Sequence, residues 1–307
     1  MKNTLHKYFN SKKPLWQDRR LVTMIPFVWL SVFFLIPCFL IFKISFSESV
    51  LAIPPFKPIL EWTGDFILHF RFNLESYWRL LTDPFYASGF LTSITVAFFA
   101  TCLSLLLGYW VAYSMAQASS RWRPLLLLLI ILPFWTSFLV RVYAWMGLLS
   151  TEGVLNLLLL KLGIIDEPRQ FLFNNFAVML GIVYCYLPFM VLPIYIAIEK
   201  IDPAYLEAAF DLGCRPRHAF WRITVPLSMS GVISGIILVF IPAIGEYVIP
   251  ELLGAPDTLM IGRIIWLEFF NNRDWPVAST VTVVMLLLLV VPIVLLQRWR
   301  LQKQGEI

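Results

Sequence analysis

The chain has 307 residues, of which 59% are apolar, 16% aromatic and 14% charged. An ordinary soluble domain carries about 25% charge. With a mean hydropathy of +0.77, this composition excludes a soluble enzyme, a disordered tail and a disulfide scaffold, and the net charge of +5 has meaning only in where the basic residues fall.

Six apolar runs follow one another, at about 21–42, 87–116, 124–149, 176–198, 227–249 and 276–296. About 20 apolar residues cross the roughly 30 Å hydrocarbon core as a helix. None of the runs alternates with period two, so each is expected to satisfy its backbone as a helix and not in a barrel. The fold class read from this pattern is an all-α membrane protein with six transmembrane helices. Residues 1–20 form an N-terminal tail, 21–298 the six-span domain and 299–307 a C-terminal tail.

The first run is too long for the apolar part of a secretory signal and no small-residue cleavage site follows it, so it reads as an uncleaved anchor. With the N-terminus placed in the cytoplasm, fifteen lysines and arginines fall in inner segments and eight in outer ones. That bias predicts cytoplasmic N- and C-termini. Cys38, Cys102 and Cys185 lie within runs and Cys214 in a loop, which predicts no disulfide and no metal site.

The first outer segment carries Asn73, Leu74, Tyr77, Trp78 and Leu81 at helical spacing before Pro84. The pattern predicts a short amphipathic helix lying in the membrane interface or meeting an outer partner protein. In the third run Arg141 is the one internal charge, and in the fifth Glu246. Taken along straight helices, both lie roughly 25 to 29 Å from the inner boundary. A charge in a span is costly, so both are expected to face the bundle interior or water. Pro242 and Gly245 predict a break in the fifth helix beside Glu246, and Gly231 and Gly235 a close helix approach.

The inner loop at 199–226 is heavily punctuated. Asp202 is placed to cap a helix opened by Pro203, Gly213 to end it, and Pro216 to open a second through Phe220 and Trp221. Two short helices joined at a glycine form a compact, partly apolar knob, which with Phe220 and Trp221 suits a protein docking site better than a tether. Within this loop Glu207-Ala208-Ala209, three residues, Gly213, nine residues, Ile223, one residue and Val225-Pro226 resemble the EAA loop of permease subunits of ABC importers. Valine stands where that loop usually has leucine before the proline.

The segments Leu132 to Leu148 and Gly245 to Pro256 resemble those of the polyamine branch, the putrescine and spermidine/putrescine importers. Asn271 to Ala278 is more similar to the putrescine-type first permease. The resemblance implies the type I ABC importer architecture and alternating access in the bacterial inner membrane. It implies as partners a second homologous permease, two copies of an ATPase subunit, a periplasmic polyamine-binding protein and membrane lipid, with no nucleic acid. It also implies coupling to the ATPase through Glu207, Ala208, Ala209, Gly213, Ile223 and Pro226.

No cofactor is expected on this chain: ATP and Mg would sit on the partner ATPase, and no glycine-lysine dipeptide of a phosphate-binding loop occurs. The chain is thus expected to have no catalytic site of its own. For a flexible dication, a path needs a carboxylate and aromatic faces. Glu246 suits the first need, and Trp135, Tyr143, Trp145, Tyr184 and Tyr247 the second, while Arg141 suits a gate or a carboxylate. The alternative is a stand-alone ion-coupled secondary transporter, but no second acidic residue at equal depth and no matching pair of broken helices supports it. The three histidines, all outside the runs, leave an intramembrane enzyme without a catalytic cluster.

Overall fold

The computed structural model describes residues 19–63, 67–70 and 72–304. Most of the expected N-terminal tail and the end of the C-terminal one lie outside these residues. The structure divides into two units, one of residues 1–79 with 273–307 and one of residues 80–272.

In the first unit, α1 (Arg19–Ile44) packs on α14 (Trp275–Gln304). The apolar side chains of α1 that are described stand mostly outward, as lipid-facing residues do in a chain whose solvent is hydrocarbon. Thr280 Oγ1 of α14 donates to the Ser45 carbonyl just past α1 (3.2 Å). A two-stranded antiparallel hairpin, β1 (Leu60–Thr63) and β2 (Ile67–Phe70), pairs Leu60 with Phe70 and Thr63 with Ile67. It adds a small strand element to an otherwise helical chain.

The expected amphipathic helix forms as α2 (Glu75–Thr82), with Asn73 Oδ1 accepting from the Glu75 amide at 2.7 Å. Ser76 and Leu80 are buried and Tyr77 shares a hydrogen bond with Ser45 Oγ at 2.8 Å, whereas Leu74, Trp78 and Leu81 stand outward. Pro84 does not simply stop this element. With Asp83 accepting from the Phe85 amide, it opens the next helix, α3 (Pro84–Gln117), because proline fits a first helical position where no amide is needed.

The second unit is built on α3, α7 (Asn175–Glu199) and α11 (Met229–Ile244), which pack mutually. Small residues of α3, among them Ala97, Ala100, Ser104, Gly108 and Ala112, are buried, as are Met190, Val191 and Ile194 of α7. Lipid is as apolar as these side chains, so close backbone packing holds the helices where hydrophobic driving force is weak. Gly231 and Gly235 serve that packing within the chain. A Cβ on Gly231 would lie 2.5 Å from the Pro193 carbonyl and one on Gly235 2.7 Å from Met190 Sδ, both on α7.

Two expected spans are not single straight helices. The 124–149 run divides into α4 (Arg123–Ile131), a 3-10 turn (Leu132–Trp135) and α5 (Phe138–Leu149). Pro133 supplies no amide and residues 136–137 leave the helix, so the chain turns there. The stretch Phe138–Lys161, which includes α6 (Val154–Lys161), is itself long and apolar enough to span. The fifth run opens at a 62° bend, where Pro216–Leu227 of the inner loop meets Met229–Ile244, and its helix ends at Ile244, short of Glu246. A depth taken along one straight helix therefore does not hold for Arg141, which lies beyond the break at 132–137. Among the described residues five helices are long and apolar enough to cross a membrane, or six if the bent pair is one span.

Candidate functional site

Two regions of the second unit gather the residues singled out by sequence. The first is the inner loop. Asp202 Oδ1 accepts from the Ala204 amide at 3.0 Å and caps α8 (Pro203–Asp211). Gly213 then takes a φ of +76°, a left-handed turn that a side chain would strain. After it come α9 (Pro216–Ala219), a π-helical turn (Phe220–Thr224) and α10 (Val225–Leu227).

None of the residues of α8 is buried. Glu207 and Ala208 are exposed, as are Tyr205, Phe210 and Leu212, while Ala209 and Ile223 are half-buried and Pro226 is exposed. Phe220 turns inward. Its ring meets the edges of Tyr109 and Tyr113 of α3 at 5.7 and 5.1 Å. Only Trp221 of the aromatic pair faces out, at 68% exposure. Tyr109 and Ser228 share a hydrogen bond at 2.9 Å, and Arg123 donates to the Ala116 and Ala118 carbonyls and pairs with Glu199 at 3.6 Å. The knob is thus rooted in α3 by Phe220 and presents α8 outward.

The second region surrounds Glu246, in the break between α11 and α12 (Val248–Leu253) that Pro242 and Gly245 foretell. Glu246 is 8% exposed. Its Oε1 accepts from the Val248 and Ile249 amides at 3.1 and 3.4 Å, and its Oε2 from the Tyr186 hydroxyl in a short hydrogen bond. The carboxylate therefore holds the broken backbone together. Gly262 at the start of α13 (Ile261–Trp266) lies against the same break, where a Cβ would be 2.5 Å from the Gly245 carbonyl and 2.7 Å from that of Glu246.

Arg141 is 9% exposed, and its Nε and Nη1 have no hydrogen-bond partner among the described residues. Its guanidinium lies 5.3 Å from the Phe134 ring centroid and 5.6 Å from that of Phe138, within cation-π reach. Phe134 meets Phe189 edge-on at 5.1 Å, and Phe189 lies beside Tyr186 at 6.1 Å. A chain of contacts so leads from Arg141 through these rings to Tyr186 and Glu246. The two charges themselves form no ion pair: no Arg141–Glu246 contact occurs within 4.0 Å among the described residues.

The other aromatic candidates separate. Tyr247 stacks on Trp266 at 4.6 Å, and Trp266 lies tilted against Phe270 at 4.0 Å. Trp145 and Tyr184 meet edge-on at 5.3 Å. Trp135 and Tyr143 are largely exposed and join neither group. Tyr184 and Tyr186 lie roughly 200° apart on α7 at about 100° per residue, which separates the Trp145 contact from the Glu246 contact.

Sequence reading missed Tyr186, Phe134 and Glu268. The spacing of Tyr186 two residues from Tyr184 could have raised it as an alternative on the other face. Glu268, which hydropathy places in an outer segment, is 3% exposed in a π-helical turn (Leu267–Asn271). It accepts from the Tyr86 hydroxyl at 2.7 Å and from the Asn272 side-chain Nδ2 at 2.9 Å. The second unit therefore buries two carboxylates, Glu246 and Glu268.

A family model described as "Binding-protein-dependent transport system inner membrane component" matches residues 104–303. The spermidine/putrescine transport system permease protein PotB of Escherichia coli is 45% identical over 229 residues, covering 75% of this chain and 82% of that one. PotB of Haemophilus influenzae is 38% identical over 265 residues, 86% and 88% of the two chains. A solved bacterial ABC transporter involved in import of the acidic polysaccharide alginate superposes with a TM-score of 0.64 at 17% identity, over 92% of this chain and 98% of that one.

Proposed function

The chain belongs to the family of inner membrane components of binding-protein-dependent transport systems, a multi-pass inner-membrane permease of the type I ABC importer fold, and on that premise we propose that it carries polyamines inward by alternating access. The substrate reading is carried by one observation: 45% identity, over three quarters of this chain, to a permease named for spermidine and putrescine. Putrescine as the preferred substrate rests on the likeness of Asn271 to Ala278 to the putrescine-type permease. Both termini are assigned to the cytoplasm by the lysine and arginine bias.

Energy comes from ATP and Mg on a separate ATPase, present in two copies, and a second permease and a periplasmic binding protein complete the importer. The exposed α8, carrying Glu207, Ala208 and Ala209, supports docking to that ATPase, and Gly213, Ile223 and Pro226 shape and root the loop. Docking transmits motion only if the contact differs between two states of the ATPase, since a knob bound equally well in both shifts nothing. At the other region Glu246 attracts an ammonium group, and the Tyr247–Trp266 stack offers π faces beside it. Trp145 and Tyr184 provide a further aromatic pair. Trp135 and Tyr143, exposed and outside both groups, are the weakest members of the path.

The test is ATP hydrolysis by the reconstituted complex with its binding protein, titrated separately with putrescine, spermidine and maltose. Stimulation by a polyamine alone is expected. An intact complex that responds to another solute and to neither polyamine overturns the substrate while leaving the permease class in place.

A further inference from the structure

Arg141 and Glu246 are both about nine-tenths buried, and each lacks an opposite charge within ion-pair distance among the described residues. A buried charge without a partner is strongly unfavourable, and removal of one member of a buried pair is costly for the same reason. Their present partners are makeshift in different ways. The guanidinium has two aromatic faces and two N–H donors aimed at nothing. The carboxylate has a neutral phenol and two backbone amides.

The elements that carry them are neighbours. Helix α5, with Arg141, packs on both α7 and α12, and Glu246 lies immediately before α12. Both reach α7 by contact: Glu246 accepts from Tyr186, and Arg141 lies against Phe134, whose ring meets Phe189, three residues further along that helix. Glu246 itself sits in a break of the backbone, the kind of place where a small rotation redirects a side chain.

We propose that Arg141 is a positioning residue for Glu246, and that its guanidinium takes the Glu246 carboxylate in one access state and releases it to Tyr186 and the α12 amides in the other. The described structure is the released state. The exchange moves no proton and breaks no covalent bond: the carboxylate trades a phenol and amides for two guanidinium N–H donors. In the paired state the carboxylate is withdrawn from an ammonium ligand, and in the released state it is offered to one. This extends the alternating-access reading and depends on it, but it does not depend on which cation is carried.

The test is disulfide trapping in the purified complex. Cys38, Cys102, Cys185 and Cys214 are replaced, Arg141→Cys and Glu246→Cys are introduced, and oxidation is followed in the nucleotide-free and vanadate-trapped states by mass spectrometry of the linked peptides. A linkage at least about tenfold faster in one state is expected. Linkage in neither state, or at equal rates in both, overturns the proposal. No polyamine is added, so failure here is distinct from failure of the substrate assignment.

A second measurement guards against a double variant that does not fold. Arg141→Met is expected to slow uptake at least about tenfold and Arg141→Lys to recover most of it, because lysine keeps a charge for the carboxylate. In a Glu246→Gln background Arg141→Met should add less than about twofold. Full additivity, or equal loss in Lys and Met variants, shows that Arg141 acts apart from Glu246 and refutes the role.

Discussion

Replacement of Glu246 separates its structural work from its work on the substrate. Alanine strands the Tyr186 hydroxyl and the Val248 amide, and it also removes the acceptor of the longer Ile249 hydrogen bond. A buried donor left unmade costs about 1–3 kcal/mol, so two of them predict about 2–6 kcal/mol and a disrupted α12. Glutamine keeps an acceptor for the Val248 amide and turns its own NH2 toward the tyrosine oxygen. It loses charge-assisted strength but also sheds the cost of a buried charge, and a net change within about 1 kcal/mol is expected. An ammonium group, by contrast, loses a charged hydrogen bond of about 1.5–3 kcal/mol. At about 1.4 kcal/mol per tenfold, that is roughly a 10- to 150-fold rise in the apparent KM for uptake. Radiolabelled putrescine uptake in proteoliposomes, beside the melting of the solubilised complex, reads the two effects. A Glu246→Gln complex that melts normally and transports with the wild-type KM would falsify the assignment of Glu246 to the path.

Phe220→Ala removes two edge contacts with Tyr109 and Tyr113, each worth about 0.5–1.5 kcal/mol beyond burial; the loop should loosen and transport uncouple from ATP hydrolysis. Trp221→Ala, at an exposed position, should change stability by less than about 0.5 kcal/mol while reducing co-purification of the ATPase, and the opposite ranking of these two variants would show that the rooted and presented faces are misassigned. Gly262→Ala forces a Cβ against the Gly245 and Glu246 carbonyls; an overpacking cost of about 1–3 kcal/mol and slowed uptake are expected, and unchanged melting and uptake together would refute the close approach. Tyr86→Phe leaves Glu268 with Asn272 alone, for an expected loss of about 1–3 kcal/mol in melting; a variant as stable as the parent would mean that this buried bond is not made in the membrane.

What was legible in the sequence is what local chemistry decides. Asp202, Pro203 and Gly213 set the ends of α8 through a side-chain cap, a missing amide and a left-handed turn, none of which needs a distant neighbour. Pro242 and Gly245 mark the break beside Glu246 for the same reason. Illegible was the direction in which a residue points once its helix meets others. Phe220 and Trp221 are adjacent and alike in composition, yet α3 offers Tyr109 and Tyr113 to one of them alone. Leu74, Trp78 and Leu81 form an apolar stripe whose direction periodicity leaves open, and the tertiary contacts take Tyr77, Ser76 and Leu80 instead. In a chain that meets lipid the stripe rule loses its direction, because an outward apolar face carries no penalty.

Glu246 and Glu268 show why hydropathy finds one buried carboxylate and misses another. Glu246 interrupts an apolar run, so its cost in hydrocarbon is visible from its neighbours in sequence. Glu268 also sits among apolar residues, Ile264 to Phe270, but that stretch is bounded by Arg263 and Asn271 and is far too short to span, so it reads as part of an outer segment. What buries it is a π-helical turn, which adds a residue to the local repeat and shifts the register of side chains about the axis. The partner that makes the burial tolerable, Tyr86, stands 182 residues away in the chain. A polar residue's depth is therefore set by the partner that can satisfy it, and only the tertiary fold supplies that partner.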